Sequence, residues 1–159
     1  ILSGDAPLVA RLRRNPMYRA LRCDKLIFSA LERTLRNLLF CRWDQIPALH
    51  MISLTADELQ VRAQRMCSQL NEAEIEAEVR LGVSVIGGGS TPDQSLPTFV
   101  VALHVAEVVR WEQALRAGDP AVVARVEDDR LILDLRTVLE DEEGKLAEAL
   151  MRARDSFRQ

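Results

Sequence analysis

Glu78-Val79-Arg80-Leu81-Gly82-Val83-Ser84-Val85-Ile86 carries Val79, Leu81, Val83 and Val85 at every second position. Successive side chains of a strand point to opposite faces, so this period predicts a half-buried β-strand with those four residues on one face. Phe99 to Val105 is apolar and β-branched enough for a second strand. Between the two lies Gly87-Gly88-Gly89-Ser90-Thr91-Pro92, with Leu96-Pro97-Thr98 just beyond it. Three consecutive glycines lose more backbone entropy on ordering than any other tripeptide. The run therefore reads as a strand-to-strand connection whose bare backbone could approach a ligand, a phosphate or a neighbouring chain. A plain structural turn accounts for Gly87 to Ser90 equally well, and no chemical role is assigned to it.

Outward from this pair the elements alternate. Downstream, Ala106 to Arg116 has helical spacing and is stopped by Gly118-Asp119-Pro120. Val122 to Val126 and Leu131 to Leu135 then flank Glu127-Asp128-Asp129-Arg130 as a β-hairpin. A last helix begins at Asp141, with acids over Glu140 to Glu143 at its positive end and Arg152 and Arg154 near its negative end. Upstream, Thr55-Ala56-Asp57-Glu58 is a capping box, and Leu59, Ala63, Met66 and Leu70 continue it as an amphipathic helix. Helix, strand, strand, helix, hairpin, helix predicts an α+β domain: a small antiparallel sheet covered by helices on one face.

The N-terminal third reads differently. Asp5 to Arg13 is helical, and Asn15-Pro16 supplies an N-cap and a favoured first helical residue for a new helix. Met17, Ala20, Leu21, Ile27, Leu31, Leu35, Leu38 and Leu39 then recur at three- and four-residue steps, predicting one linking helix of about six turns. Arg19, Arg22, Ser29, Arg33 and Arg36 lie on its other side. Trp43 to Leu54, with Pro47, breaks the pattern and reads as a linker, so the expected division is residues 1–46 and 47–159. The chain opens without methionine, and Ile1-Leu2-Ser3-Gly4 has the look of the end of a buried strand; the expectation is a fragment of a longer protein.

With 48% hydrophobic and 28% charged residues, the 159-residue chain has the composition of a soluble globular protein. No apolar run approaches the ~20 residues of a membrane span, and no secretory signal is present, which makes the cytoplasm the expected compartment. Cys23, Cys41 and Cys67 are widely spaced and odd in number, which argues against a disulfide framework or a zinc site and for reduced, mostly buried thiols. The net charge of −3 conceals an asymmetry, because residues 1–45 carry nine Lys or Arg against four acids. The positive charge is almost wholly arginine, whose planar fork suits phosphates and carboxylates. His50 and His104 lack a second ligand at metal spacing, so no metal is expected. Trp43 and Trp111 read as anchors between elements.

Three stretches carry a resemblance in order and spacing: Arg14-Asn15-Pro16-Met17-Tyr18-Arg19-Ala20-Leu21-Arg22-Cys23-Asp24-Lys25; Gly87-Gly88-Gly89-Ser90 with Leu96-Pro97-Thr98; and Gly118-Asp119-Pro120 with Leu133-Asp134-Leu135-Arg136-Thr137-Val138. Together they closely resemble the C-terminal part of bacterial selenocysteine synthases, the L-seryl-tRNA(Sec) selenium transferases. The resemblance implies the small domain of a fold-type-I pyridoxal-phosphate enzyme, which converts seryl-tRNA(Sec) to selenocysteinyl-tRNA(Sec) with selenophosphate as donor. It further implies a homo-oligomer, a ring of dimers with active sites between subunits, and partners that include neither DNA nor membrane.

By the same resemblance Arg19 and Arg22 bind the phosphate-like part of the selenium donor. Residues three apart share a helix face, so both forks could converge on one tetrahedral anion; a solvated arginine face is the plainer reading of such a row. The Schiff-base lysine of the family belongs to a Ser-Gly-Asp-Lys context, whereas Ser3-Gly4-Asp5 is followed here by Ala6. Lys25 and Lys145, the sole lysines, lack that setting, so the chain alone is expected to be inactive. Arg125, Arg136 and Asp134 could include a carboxylate-binding arginine, but diagonal pairing of Arg125 with Asp134 is the plainer account. Two other readings stand beside this one: a related pyridoxal-phosphate lyase acting on an amino-sugar acid, and a non-catalytic RNA-binding module.

Overall fold

Asn15 and Asp24 punctuate the N-terminal third of the computed structural model, which describes residues 3–87 and 94–158. Helix α1 spans Ala6–Arg14, α2 spans Pro16–Ala20 and α3 spans Lys25–Leu39. The Asn15 carboxamide oxygen accepts from the Met17 N–H at 2.9 Å, as an N-cap should. The single long helix expected from the apolar period does not form. Leu21 closes α2, Arg22 and Cys23 are not helical, and the Asp24 carboxylate accepts the Ile27 N–H at 2.9 Å to start α3. Hydrophobic period runs through this break unchanged, whereas the short acidic side chain competes locally for a backbone N–H and restarts the helix.

Two compact units make up the chain, Ile1–Pro47 and Ala48–Gln159. In the first, Asn37 is the one buried residue among those described, and Leu21, Leu26, Leu39 and Phe40 are exposed. The expected linker is itself helical, a 3₁₀ turn over Trp43–Gln45 followed by α4 at Pro47–Ser53. Proline there occupies the first helical position, where its missing N–H costs nothing.

The second unit has the core. Helix α5 (Ala56–Glu72) starts with the full capping box: the Thr55 hydroxyl accepts the Glu58 N–H at 3.3 Å, and the Glu58 carboxylate accepts the Thr55 N–H at 2.7 Å. Thr55→Ala is expected to cost about 1 kcal/mol in urea denaturation. The hydrogen bonds from Thr55 hold the Glu58 carboxyl below its ordinary value. A lowered folded-state pKa stabilises above the unfolded value and is lost on acidification. The stability difference between the native chain and Glu58→Gln should therefore shrink as pH falls below the ordinary carboxyl value of 4.5, and a constant difference would remove the box from the account.

Strands β1 (Ala77–Val85) and β2 (Ser95–Leu103) pair antiparallel, Leu81 opposite Phe99. Helix α6 (Val108–Ala117) then leads to β3 (Arg125–Glu127) and β4 (Arg130–Asp134), joined by a two-residue turn with both aspartates at positive φ, 50° and 56°. That is the primed geometry matching strand twist, reached here with Asp128-Asp129 in place of a glycine. The sheet order is β1-β2-β4-β3, all antiparallel. Helix α7 (Glu143–Phe157) closes the unit after a 3₁₀ turn over Glu140–Glu142.

Leu59, Ala63, Met66 and Leu70 of α5 and Leu146 and Leu150 of α7 bury one sheet face, where Val101, Leu103, Leu131 and Leu133 point. The other face holds a small cluster of Val100, Ala102 and Ile132 with no helical member, so the helices lie on one face as expected. By strand alternation Glu78, Arg130 and His104 project on that second face. There Arg130 pairs with Glu78, and His104 approaches the same carboxylate at 3.4 Å. Gly82 sits on this face because the neighbouring strand comes close: a Cβ there would lie 3.1 Å from a Val100 methyl.

Two strand expectations need correction. Only Val79 of the alternating apolar set packs on the core, whereas Leu81, Val83 and Val85 are 73%, 51% and 63% exposed. The strand runs past the end of the helices, so the period reports the face and not the cover. Leu81→Ser is accordingly expected to stay within about 0.5 kcal/mol in denaturant unfolding, against several for an inward leucine. Strand β3 is also shorter than read, beginning at Arg125. Of the glycine connection, Gly87 has φ 133°, a conformation that favours glycine; Gly88, Gly89 and Ser90 lie outside the described residues.

Candidate anion-binding site

The turn that ends α2 carries both predicted arginines. Arg19 is in the last turn of α2 and Arg22 lies beyond its C-cap, with the Arg22 N–H reaching the Arg19 carbonyl at 3.3 Å. They therefore do not share a helix face, and helical spacing does not bring their two forks together. Both are exposed, and neither has an ion-pair partner among the described residues.

Arg22 lines a cleft of about 470 Å³ inside the first unit, and Arg19 does not. Its apolar wall is built by Val9 and Leu12 of α1 and Phe28 of α3, with Tyr18 and Arg13 beside Arg22. Two guanidinium forks and a phenol around apolar surface suit an anion carrying an organic body. Arg13 was missed in the sequence, where it belongs to α1 and to no motif; the α1–α2 turn at Asn15-Pro16 is what brings it to the cleft. Cys23 lines the same cleft and is exposed, as is Cys41. The expectation of mostly buried thiols therefore fails for two of three; only Cys67 is half-buried, where burial pushes its thiol up and its S–H meets the Ala77 carbonyl.

The second unit answers the carboxylate question. Asp134 does not pair with Arg125, which instead approaches Glu127 at 3.4 Å. Its carboxylate accepts from the Ser84 hydroxyl at 2.5 Å, the Thr98 hydroxyl at 3.1 Å and the Arg136 N–H at 3.1 Å. Arg136 is buried, and its guanidinium donates to the carbonyls of Met51, Leu54 and Pro97 and to the Ser84 hydroxyl. Burial lowers its pKa, with Asp134 opposing. A fork so fully engaged has nothing left for a substrate carboxylate; it ties α4, β1 and β2 to the end of β4. Arg62 does the same between helices, donating to Glu143 at 2.5 Å and to the Val138 carbonyl at 2.6 Å.

Trp111 is buried against Phe157, ring centroids 5.3 Å apart, whereas Trp43 is 47% exposed. Among the described residues no group of three or more His, Cys, Asp or Glu is placed to hold a metal ion. No described helix is long and apolar enough to cross a membrane. Lys25 and Lys145 are both exposed, the first at the start of α3 and the second in α7.

A helix-backed antiparallel sheet that follows an arginine-rich helical segment defines an α+β protein. Residues 1–139 match the family described as L-seryl-tRNA selenium transferase, and the chain belongs to that family. It is 36% identical over 149 residues to the L-seryl-tRNA(Sec) selenium transferase of Carboxydothermus hydrogenoformans, covering 89% of this chain and 32% of that protein. It is 37% identical over 164 residues to that of Solidesulfovibrio magneticus, covering 96% and 34%. With the Aquifex aeolicus protein it shares 34% over 150 residues, 89% and 32%. The chain thus spans about a third of the length of the curated relatives it matches.

Proposed function

We propose that this chain is the C-terminal part of an L-seryl-tRNA(Sec) selenium transferase, which replaces the seryl hydroxyl of seryl-tRNA(Sec) with selenium taken from selenophosphate. The observation that carries the reading is the family match over residues 1–139, together with two arginines free of ion-pair partners among the described residues. In this reading Arg19 and Arg22 bind the phosphate-like part of the donor, and Arg13 is the second guanidinium lining the Arg22 cleft. Residues 1–46 close a cofactor domain and residues 47–159 are the small domain of a fold-type-I enzyme working in the cytoplasm as a homo-oligomer. Pyridoxal phosphate, where bound, supplies the electron sink for the elimination and addition at the seryl Cβ. The residues here hold the anion and do not carry that chemistry, so the chain alone is inactive.

The test is selenium transfer to seryl-tRNA(Sec) by a complete family-length polypeptide that carries this sequence, with the isolated chain as control. Transfer by the complete protein and none by the chain is expected. Absence of selenophosphate-dependent product in the complete protein overturns the proposal, and turnover of an amino-sugar acid in its place would establish the lyase.

A further inference from the structure

We infer that the depression around Arg33, Asn37, Phe40 and Arg42 is a subsite for one unpaired nucleotide of an RNA strand. It lies wholly in the first unit and shares no lining residue with the Arg22 cleft. Arg33, Asn37 and Phe40 fall four and three residues apart along α3 and its cap, which puts them on one helical face. The Arg42 N–H donates to the Asn37 carbonyl at 2.8 Å and turns the chain back, so the Arg42 guanidinium lies 5.6 Å from the centroid of the Phe40 ring.

Charges in the depression do not cancel. Arg36 is engaged by Glu32, both N–H groups reaching one carboxylate oxygen at 2.9 and 2.8 Å. Arg33 and Arg42 have no ion pair among the described residues, and Phe40 is 64% exposed. Asn37 is 8% exposed, yet its carboxamide has no hydrogen-bond partner among the described residues. A buried amide without partners is costly and rare, so its position in this pocket points to a missing ligand.

Each group calls for a different part of the same molecule. Guanidinium forks take phosphate oxygens. An exposed ring takes a base face. A carboxamide, donor and acceptor side by side, matches the N6 and N7 edge of adenine. Free phosphate would leave the amide and the ring unused, and an apolar peptide would leave the arginines unused.

The inference rests on the tRNA substrate of the proposed function, and its test separates the two. The probe is a fluorescently labelled single-stranded hexa-adenylate titrated with the chain at several salt concentrations. Arg33→Ala and Arg42→Ala should each weaken binding several-fold and flatten the salt dependence by roughly one phosphate contact. Phe40→Ala should weaken it roughly 5- to 150-fold. Asn37→Ala should weaken it while leaving unfolding by urea unchanged or shifted to higher denaturant, because the residue removed is unsatisfied; lower stability with normal binding would mean a packing role and overturn the assignment. Arg65→Ala, at an exposed position of α5 in the second unit, should bind hexa-adenylate normally. No binding by the native chain, equal binding by all variants, or displacement by inorganic phosphate at the oligonucleotide's own concentration each overturns the subsite. Loss of binding in the variants with no selenium transfer by the complete protein would sink the proposed function and leave the subsite standing.

Discussion

Arg136→Leu is expected to destabilise the second unit by about 3–5 kcal/mol, read as a fall in the denaturant midpoint without a change in slope. The side chain donates four hydrogen bonds from a site only 4% exposed, three of them to main-chain carbonyls of Met51, Leu54 and Pro97. Leucine restores much of the volume but takes this donor from all three carbonyls, and each buried acceptor left open costs about 1–3 kcal/mol. Asp134→Asn should cost less, because the carboxamide oxygen can keep the Thr98 hydroxyl and the Arg136 N–H while the Ser84 hydroxyl turns to accept from the new NH2 group. If Arg136→Leu unfolds at the native midpoint, the guanidinium does not clamp these strands, and a free arginine for a substrate carboxylate returns as a candidate.

Arg22→Ala in the complete polypeptide should lower kcat/KM for selenophosphate by roughly 10²-fold, and the Arg19→Ala, Arg22→Ala double variant by more than either alone. Charge-assisted bonds are worth about 1.5–3 kcal/mol each, and each 1.4 kcal/mol is a factor of ten. Arg22→Lys should recover only part, since an ammonium cannot reproduce the two-pronged grip on a tetrahedral anion. The KM for seryl-tRNA should move little, which separates a donor site from a general electrostatic effect. Because Arg22 lines the cleft and Arg19 stands outside it, the larger loss should follow Arg22. Equal, unchanged turnover in both single variants would remove the donor role from this turn.

Local rules read much of this chain well. The Thr55–Glu58 box, the Asn15 cap and the alternation of β1 each depend on residues within a few positions of one another, and all are present. The same rules miss Asp24, because periodicity records which residues are apolar and says nothing of a carboxylate that takes a backbone N–H out of the helical ladder. The two candidate arginines were legible as residues, but their relation was not, since it turns on that break.

What the sequence determined on its own is the order of elements from α5 onward, the antiparallel sheet with helices on one face, and the family. These follow from short-range propensity, from a period of two or three to four residues, and from motifs in register. Tertiary structure alone decided that Leu81, Val83 and Val85 stay uncovered, that Asp134 serves Ser84 and Thr98 in place of Arg125, and that Arg136 is spent on backbone carbonyls. The reason is physical: burial and hydrogen-bond satisfaction are set by groups 36 to 85 residues away along the chain, and no local pattern encodes where those groups arrive.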